Sequence, residues 1–227
     1  MTRKPAAPYA NRRVATREML GLTPSEYRTL KALSTPERIQ DFVSNRLSIN
    51  HETGGETILA VRGVLRERHA HCIEGAMLAA CALWIQGERP LVMYLHAVYD
   101  WAHVITLFRR NGCWGAISKT NGPVLRWRDP IYRSLRELAM TYFHEYANKR
   151  GQKTLRAYSG ALDLRRYDPA IWVSNDRDCW HMQHALEAAR HYPLITPAQE
   201  RNVRYRDALE RRAGKVVQYP APPGAMR

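Results

Sequence analysis

Residues 72–86, CIEGAMLAACALWIQ, constrain this 227-residue chain more than any other stretch. Only Glu74 and Gln86 are polar in that run. It is too long for a typical strand and rich in Ala, Leu and Met, so it predicts a helix buried on all sides. Gly87 stands where a helix C-cap would be. Pro90 then opens a different texture. Residues 91–95 (LVMYL) and 104–108 (VITLF) read as strands, Asn111-Gly112 as a tight turn, and residues 114–118 (WGAIS) as a returning strand. A buried helix followed by antiparallel strands predicts an α+β core.

The flanks carry helix signals. In Thr23-Pro24-Ser25-Glu26, Thr is placed as N-cap, Pro in the first turn and Glu to close a capping box. Ser34-Thr35-Pro36-Glu37 repeats the device before an amphipathic stretch with Ile39, Phe42, Val43 and Leu47. Residues 48–56 (SINHETGGE) read as a loop, and Ile58, Val61, Val64 and Leu65 as a helix ending near Arg68. Ile131, Leu135, Leu138 and Tyr142 recur at helical spacing, residues 151–177 look irregular, and helices are expected over about 178–190 and 197–213. There is no internal repeat or linker. The expected organisation is a mobile N-terminal segment (1–20), a single domain (21–215) with its core at 58–121 plus helical extensions, and a Pro-rich tail (216–227).

Lys and Arg number 35 against 21 Asp and Glu, a formal charge of +14. That charge keeps a basic nucleic-acid-binding protein among the alternatives. Its distribution argues against one, because 29 Arg and 6 Lys are scattered singly or in pairs with no basic block. No run reaches the ~18 apolar residues of a membrane span, and no apolar segment follows the basic start, so no membrane partner and a cytoplasmic location are expected. The four cysteines, Cys72, Cys81, Cys113 and Cys179, include no CxxC pair and are expected as thiols. His69, His71, His181 and His184 match no familiar zinc spacing, so neither a metal nor another cofactor is expected.

Cys72 would open the buried helix. A helix N-terminus carries about half a positive charge, which favours thiolate, and Arg68, His69 and His71 before it act in the same direction. A thiolate nucleophile needs a base to share its proton, and His103 begins the second expected strand. An acceptor fixing that imidazole, at Nδ1 by analogy with triad enzymes, should come from the end of the next strand, residues 118–121.

This arrangement resembles the transglutaminase-like superfamily of papain-type thiol enzymes. The run Cys72-Ile73-Glu74-Gly75-Ala76 follows the family pattern of Cys, any residue, an acid, any residue and Ala. Around the base, Ala102-His103-Val104-Ile105-Thr106-Leu107 is followed by Gly112 and Trp114 at the usual turn and strand positions. The resemblance spans residues 58–121 and implies a papain/transglutaminase-like core with a Cys-His dyad or triad. Three positions depart: Ala70 replaces a common Gly, Ile105 an aromatic residue, and Ser118 the family's Asp. Ser118, Asn121 or Asp100 is left to fill the third place.

The expected function is thiol-dependent amide hydrolysis or acyl transfer on a peptide or small amide substrate, anionic groups being favoured by the basic approach. Cys72 and His103 would act with Ser118 or Asn121. The alternative from the missing Asp is a noncatalytic binding or scaffold protein on the same fold.

Overall fold

A computed structural model describes residues 9–223. Three capped helices open the chain: α1 (Arg17–Leu20), α2 (Pro24–Ala32) and α3 (Pro36–Asn45). Thr23 and Glu26 form the anticipated reciprocal box at α2. At α3, Thr35 accepts from Arg38 N, because the Glu stands one position early for reciprocity. Strand β1 (Ser48–Ile49), helix α4 (Val61–Glu67) and strand β2 (His69–Ala70) follow, β1 pairing in parallel with β2. Helix α5 (Cys72–Ile85) is the predicted apolar helix, buried at every position from Ile73 to Ile85.

The sheet comes next, as β3 (Leu91–Ala97), β4 (His103–Arg110), β5 (Cys113–Ile117) and β6 (Arg128–Tyr132). Both Asn111 (φ 49°) and Gly112 (φ 80°) take the left-handed conformation that a two-residue hairpin between β4 and β5 requires. Helix α6 (Leu135–Met140), strands β7 (Leu155–Ser159) and β8 (Leu162–Asp163), helices α7 (Pro169–Trp172) and α8 (Trp180–Glu187), and strand β9 (His191–Pro193) complete the main body. Two short helices, α9 (Pro197–Glu200) and α10 (Ala208–Ala213), lie in the C-terminal segment.

The strand order is β6-β5-β4-β3-β7-β9, with β8 also beside β3 and every neighbouring pair antiparallel. The fold is therefore mixed helix and antiparallel sheet. Both faces of the sheet are covered. Val92, Val104, Phe108 and Ile117 pack with α5 on one side, while Met93, Leu95, Ile105 and Leu107 pack with Leu138, Tyr142 and Leu155 on the other. Two buried faces explain why β3 and β4 read as continuous apolar runs. Thr106 Oγ1 donates to Ala76 O at 2.7 Å, tying the helix to the strand beneath it.

Several expectations are corrected. Ile131 lies in β6 and is exposed, so the helical spacing begins only at Leu135. The stretch 151–177 contains β7 and β8, which make β3 a central strand. Leu155 and Tyr158 are the only strong strand formers in β7, too few to outweigh Arg156 and Ala157. Residues 48–56 include β1, and α4 begins at Val61, not at Ile58. The helix expected over 197–213 is split into α9 and α10, and neither buries a residue. Without an apolar face to bury, nothing sustains a long helix there. Of the N-terminal segment expected to be mobile, residues 1–8 lie outside the described residues. The rest is seated on the core: Ala15 and Leu20 are fully buried and Ala15 N donates to Trp84 O. No helix among the described residues is long and apolar enough to cross a membrane.

Gly75 lets the segment just after β5 approach α5 closely, since a Cβ there would stand 2.6 Å from Lys119 Cβ. Gly75→Ala should destabilise the fold by about 1–3 kcal/mol, the usual cost of overpacking. Urea denaturation measures this, and an unchanged midpoint would contradict the packing described.

Candidate active site

Cys72 occupies the first position of α5, and so its N–H has no intrahelical acceptor. What fixes the start of this helix is Glu74, which is completely buried. Its carboxylate accepts from His71 N (2.7 Å), Leu59 N (2.8 Å) and Asn50 Nδ2 (3.1 Å). All of these neighbours are donors, the pattern an ionised carboxylate satisfies. Burial pushes the Glu74 carboxyl above its ordinary value, opposed by His71 and these hydrogen bonds.

Cys72 is half-buried and shares the lining of one cleft with the imidazoles of His71 and His103, its Sγ lying 4.0 Å from Ala102 O. His103 enters from the first residue of β4, and Ser118 follows the last residue of β5. The Ser118 hydroxyl has one proton, and Leu125 O, which can only accept, lies 2.5 Å from Oγ. Oγ therefore meets His103 Nε2, 2.7 Å away, as an acceptor. That places the ring proton on Nε2 in the neutral imidazole and leaves Nδ1 to share the thiol proton. The expected assignment of the two nitrogens is thus reversed, because β5 approaches the ring from its Nε2 side. Ser118 is itself held by Gln40 of α3, whose Oε1 accepts from Ser118 N and whose Nε2 donates to Ser118 O, both at 2.9 Å.

The second imidazole is His71. Its Nε2 lies 2.8 Å from Thr57 O and so carries a proton, with Glu74 Oε1 at 3.4 Å and Glu52 Oε1 at 3.8 Å. Its Nδ1 is buried and has no hydrogen-bond partner. Burial pulls His71 down, yet Cys72 and the Glu74 carboxylate raise it to about 9. Burial likewise raises Cys72, but His103 and then His71 outweigh it and hold the thiol well below its ordinary value. Cys81 and Cys179 lack such partners. Burial pushes both upward, Cys179 to about 12, which marks them as inert core thiols.

The structure therefore brings Cys72, His103 and Ser118 together and directs the other two candidates elsewhere. The Asn121 amide bonds to both main-chain groups of Tyr219. Asp100 accepts from Trp101 N and from Thr154 Oγ1. Gln40 and the role of His71 were not foreseen. Gln40 had one visible signal, a polar side chain between Ile39 and Val43 on the apolar face of α3. The thiol, His103, Asn121 and Lys119 line one cleft of about 320 Å³. Beside it a wider depression of about 810 Å³ runs past Trp101 to Lys149 and Arg150. Among the described residues no group of three His, Cys, Asp or Glu side chains is placed to hold a metal ion.

His71 links the site to stability. A group raised from about 6.5 to about 9 contributes stability that is complete below its ordinary value and is lost as pH rises through 9. The deficit of His71→Asn relative to the parent protein should therefore be largest near about pH 6 and shrink by about pH 9.5. Urea midpoints at the two pH values measure it, and a deficit independent of pH would contradict the assignment.

No protein-family model matches this sequence, and no curated protein matches it.

Proposed function

We propose that this protein is a thiol enzyme with a papain/transglutaminase-like core, in which Cys72 attacks the acyl carbon of an amide. The observation that carries this reading is one cysteine, at the first position of a buried helix and on the lining of a cleft, that shares the cleft with an imidazole whose Nε2 is fixed by Ser118. Ordinary core cysteines have none of these features.

Cys72 Sγ forms the bond to the acyl carbon as the carbonyl π electrons move to oxygen. The helix N-terminus and the Cys72 N–H stabilise the resulting oxyanion. His103 Nδ1 takes up the thiol proton and delivers it to the departing amine, leaving a thioester. Water or a second amine then attacks that thioester, His103 removes the attacking proton, and Cys72 leaves as thiolate. The outcome is hydrolysis or acyl transfer. Ser118 holds the ring but supplies no charge. The fixed negative charge lies on Glu74, behind His71, so the site stabilises its thiolate through a second imidazole and not through a carboxylate on the base. His71, raised to about 9, stays protonated at neutral pH and so holds charge beside the thiolate while His103 moves the proton.

An activated acyl ester such as p-nitrophenyl acetate should give a burst of nitrophenolate equal to the amount of protein, followed by slower turnover. Cys72→Ala should abolish the burst. His103→Ala should slow acylation by about 10²-fold or more, the usual scale for a general base, and Ser118→Ala should have a smaller effect. A burst that survives in Cys72→Ala would overturn the proposal.

A further inference from the structure

The segment after Glu200 is held in an unusual way. From Arg201 to Pro223 not one residue is buried, and Val203 is half-buried against the core. The segment is nevertheless fixed at two places beside the Cys72 cleft, and Arg206 and Gly214 form part of the cleft lining. At one place Arg206 N donates to Gly151 O at 2.8 Å, and the Arg206 guanidinium donates to His144 O and Glu145 O. At the other, Asn121 accepts from Tyr219 N and donates to Tyr219 O through its side-chain amide, and its own carbonyl accepts from Gln218 N, each at 2.8 Å.

One amide that pairs with both main-chain groups of a single residue recognises peptide backbone whatever the side chain. The surroundings read the two side chains. Gln218 donates to Ser44 O at 3.0 Å and accepts from Arg126 at 2.8 Å. The Tyr219 hydroxyl donates to Ser44 O at 3.0 Å, and its ring lies 4.9 Å from Lys119 Nζ. Lys119 is 1% exposed and has no acidic partner among the described residues; its amine donates to Leu47 O. A buried cation closed off by an aromatic ring from an otherwise exposed tail is a pocket with an occupant.

We propose that the Asn121 side of the cleft is a subsite for peptide main chain, filled in the free protein by Gln218 and Tyr219 of its own C-terminal segment. The segment is then a displaceable strap, and the natural substrate or effector is a peptide that takes its place. A strap fastened by exposed and half-buried polar contacts, with no buried residue of its own, opens locally at less cost than the core. Access to the subsite is reduced by the fraction of molecules in which the strap is down. That the peptide is the substrate of Cys72 rests on the thiol-enzyme reading above; the existence of the subsite does not.

The test uses the full-length chain and its Gln218→Ala/Tyr219→Ala double variant, whose altered side chains lie outside the core. The probe is a fluorescein-labelled peptide with the sequence of residues 214–223, GKVVQYPAPP, followed by fluorescence anisotropy. The double variant should bind the peptide, and the parent protein should bind it at least about tenfold more weakly, because its own tethered segment competes at high effective concentration. A peptide with Ala-Ala in place of Gln-Tyr keeps the main-chain contacts and loses the side-chain ones, so it should bind the double variant more weakly than the Gln-Tyr peptide does. Equal affinity for parent and variant, or no binding to the variant, would overturn the proposal. Chloroacetamide alkylation of Cys72, run in parallel, keeps the two readings apart: a thiol no more reactive than a free peptide thiol would count against the enzyme while the anisotropy still decides the strap.

Discussion

The buried Glu74 carboxylate organises everything around the candidate site. A charge with no exposure to water is tolerated only when donors surround it, and here those donors come from three separate places in the chain: Asn50, Leu59 and His71. The requirement to satisfy one side chain therefore fastens the loop after β1, the approach to α4 and the first turn of α5 to one point. Cys72 is two residues away on that same turn, so its position is as fixed as the carboxylate. Removing the carboxylate would leave several buried donors unsatisfied, at about 1–3 kcal/mol each.

That constraint also decides how the thiolate is stabilised. A carboxylate on the far side of the base would strengthen the imidazolium of His103. In this protein Ser118 occupies that place, its proton already given to Leu125, and acts as a neutral acceptor. Glu74 raises His71 instead, and His71 helps to lower Cys72. In the proposed reaction the two imidazoles would divide the work: His71 would hold charge, and His103 would move the proton. The scattered Arg residues that give the chain its +14 charge contribute little to this local arrangement, being mostly paired or on the surface.

The parts of this architecture that were legible in the sequence share one property: the local signal and the tertiary demand agree. The run at 72–86 is apolar on every side and becomes a helix buried on every side. Asn111-Gly112 needs two left-handed residues and has them. Cys72, His103 and Ser118 fall at element ends, where strand and helix boundaries bring them together. The illegible parts are those decided by partners far away in the chain. Strands β7 and β9 are short and weakly patterned; β7 exists because β3 offers an edge to pair with, and β9 because β7 in turn offers one. Gln40 looks like a misplaced polar residue until Ser118, 78 positions later, supplies its partners. Asn121 was the right residue type to orient an imidazole, yet its amide is engaged by Tyr219, 98 positions away. No local pattern encodes such pairings.

The central claim is that His103 and His71 hold the Cys72 thiol well below its ordinary value. Thiolate absorbance near about 240 nm, followed as a difference between the parent protein and Cys72→Ala, reports this single group directly as pH is varied. The account predicts that the Cys72 signal develops well below the pH at which a free thiol ionises, and that it shifts to higher pH in both His71→Asn and His103→Ala. A Cys72 signal that develops only near about 8.5, as for a free thiol, would contradict it.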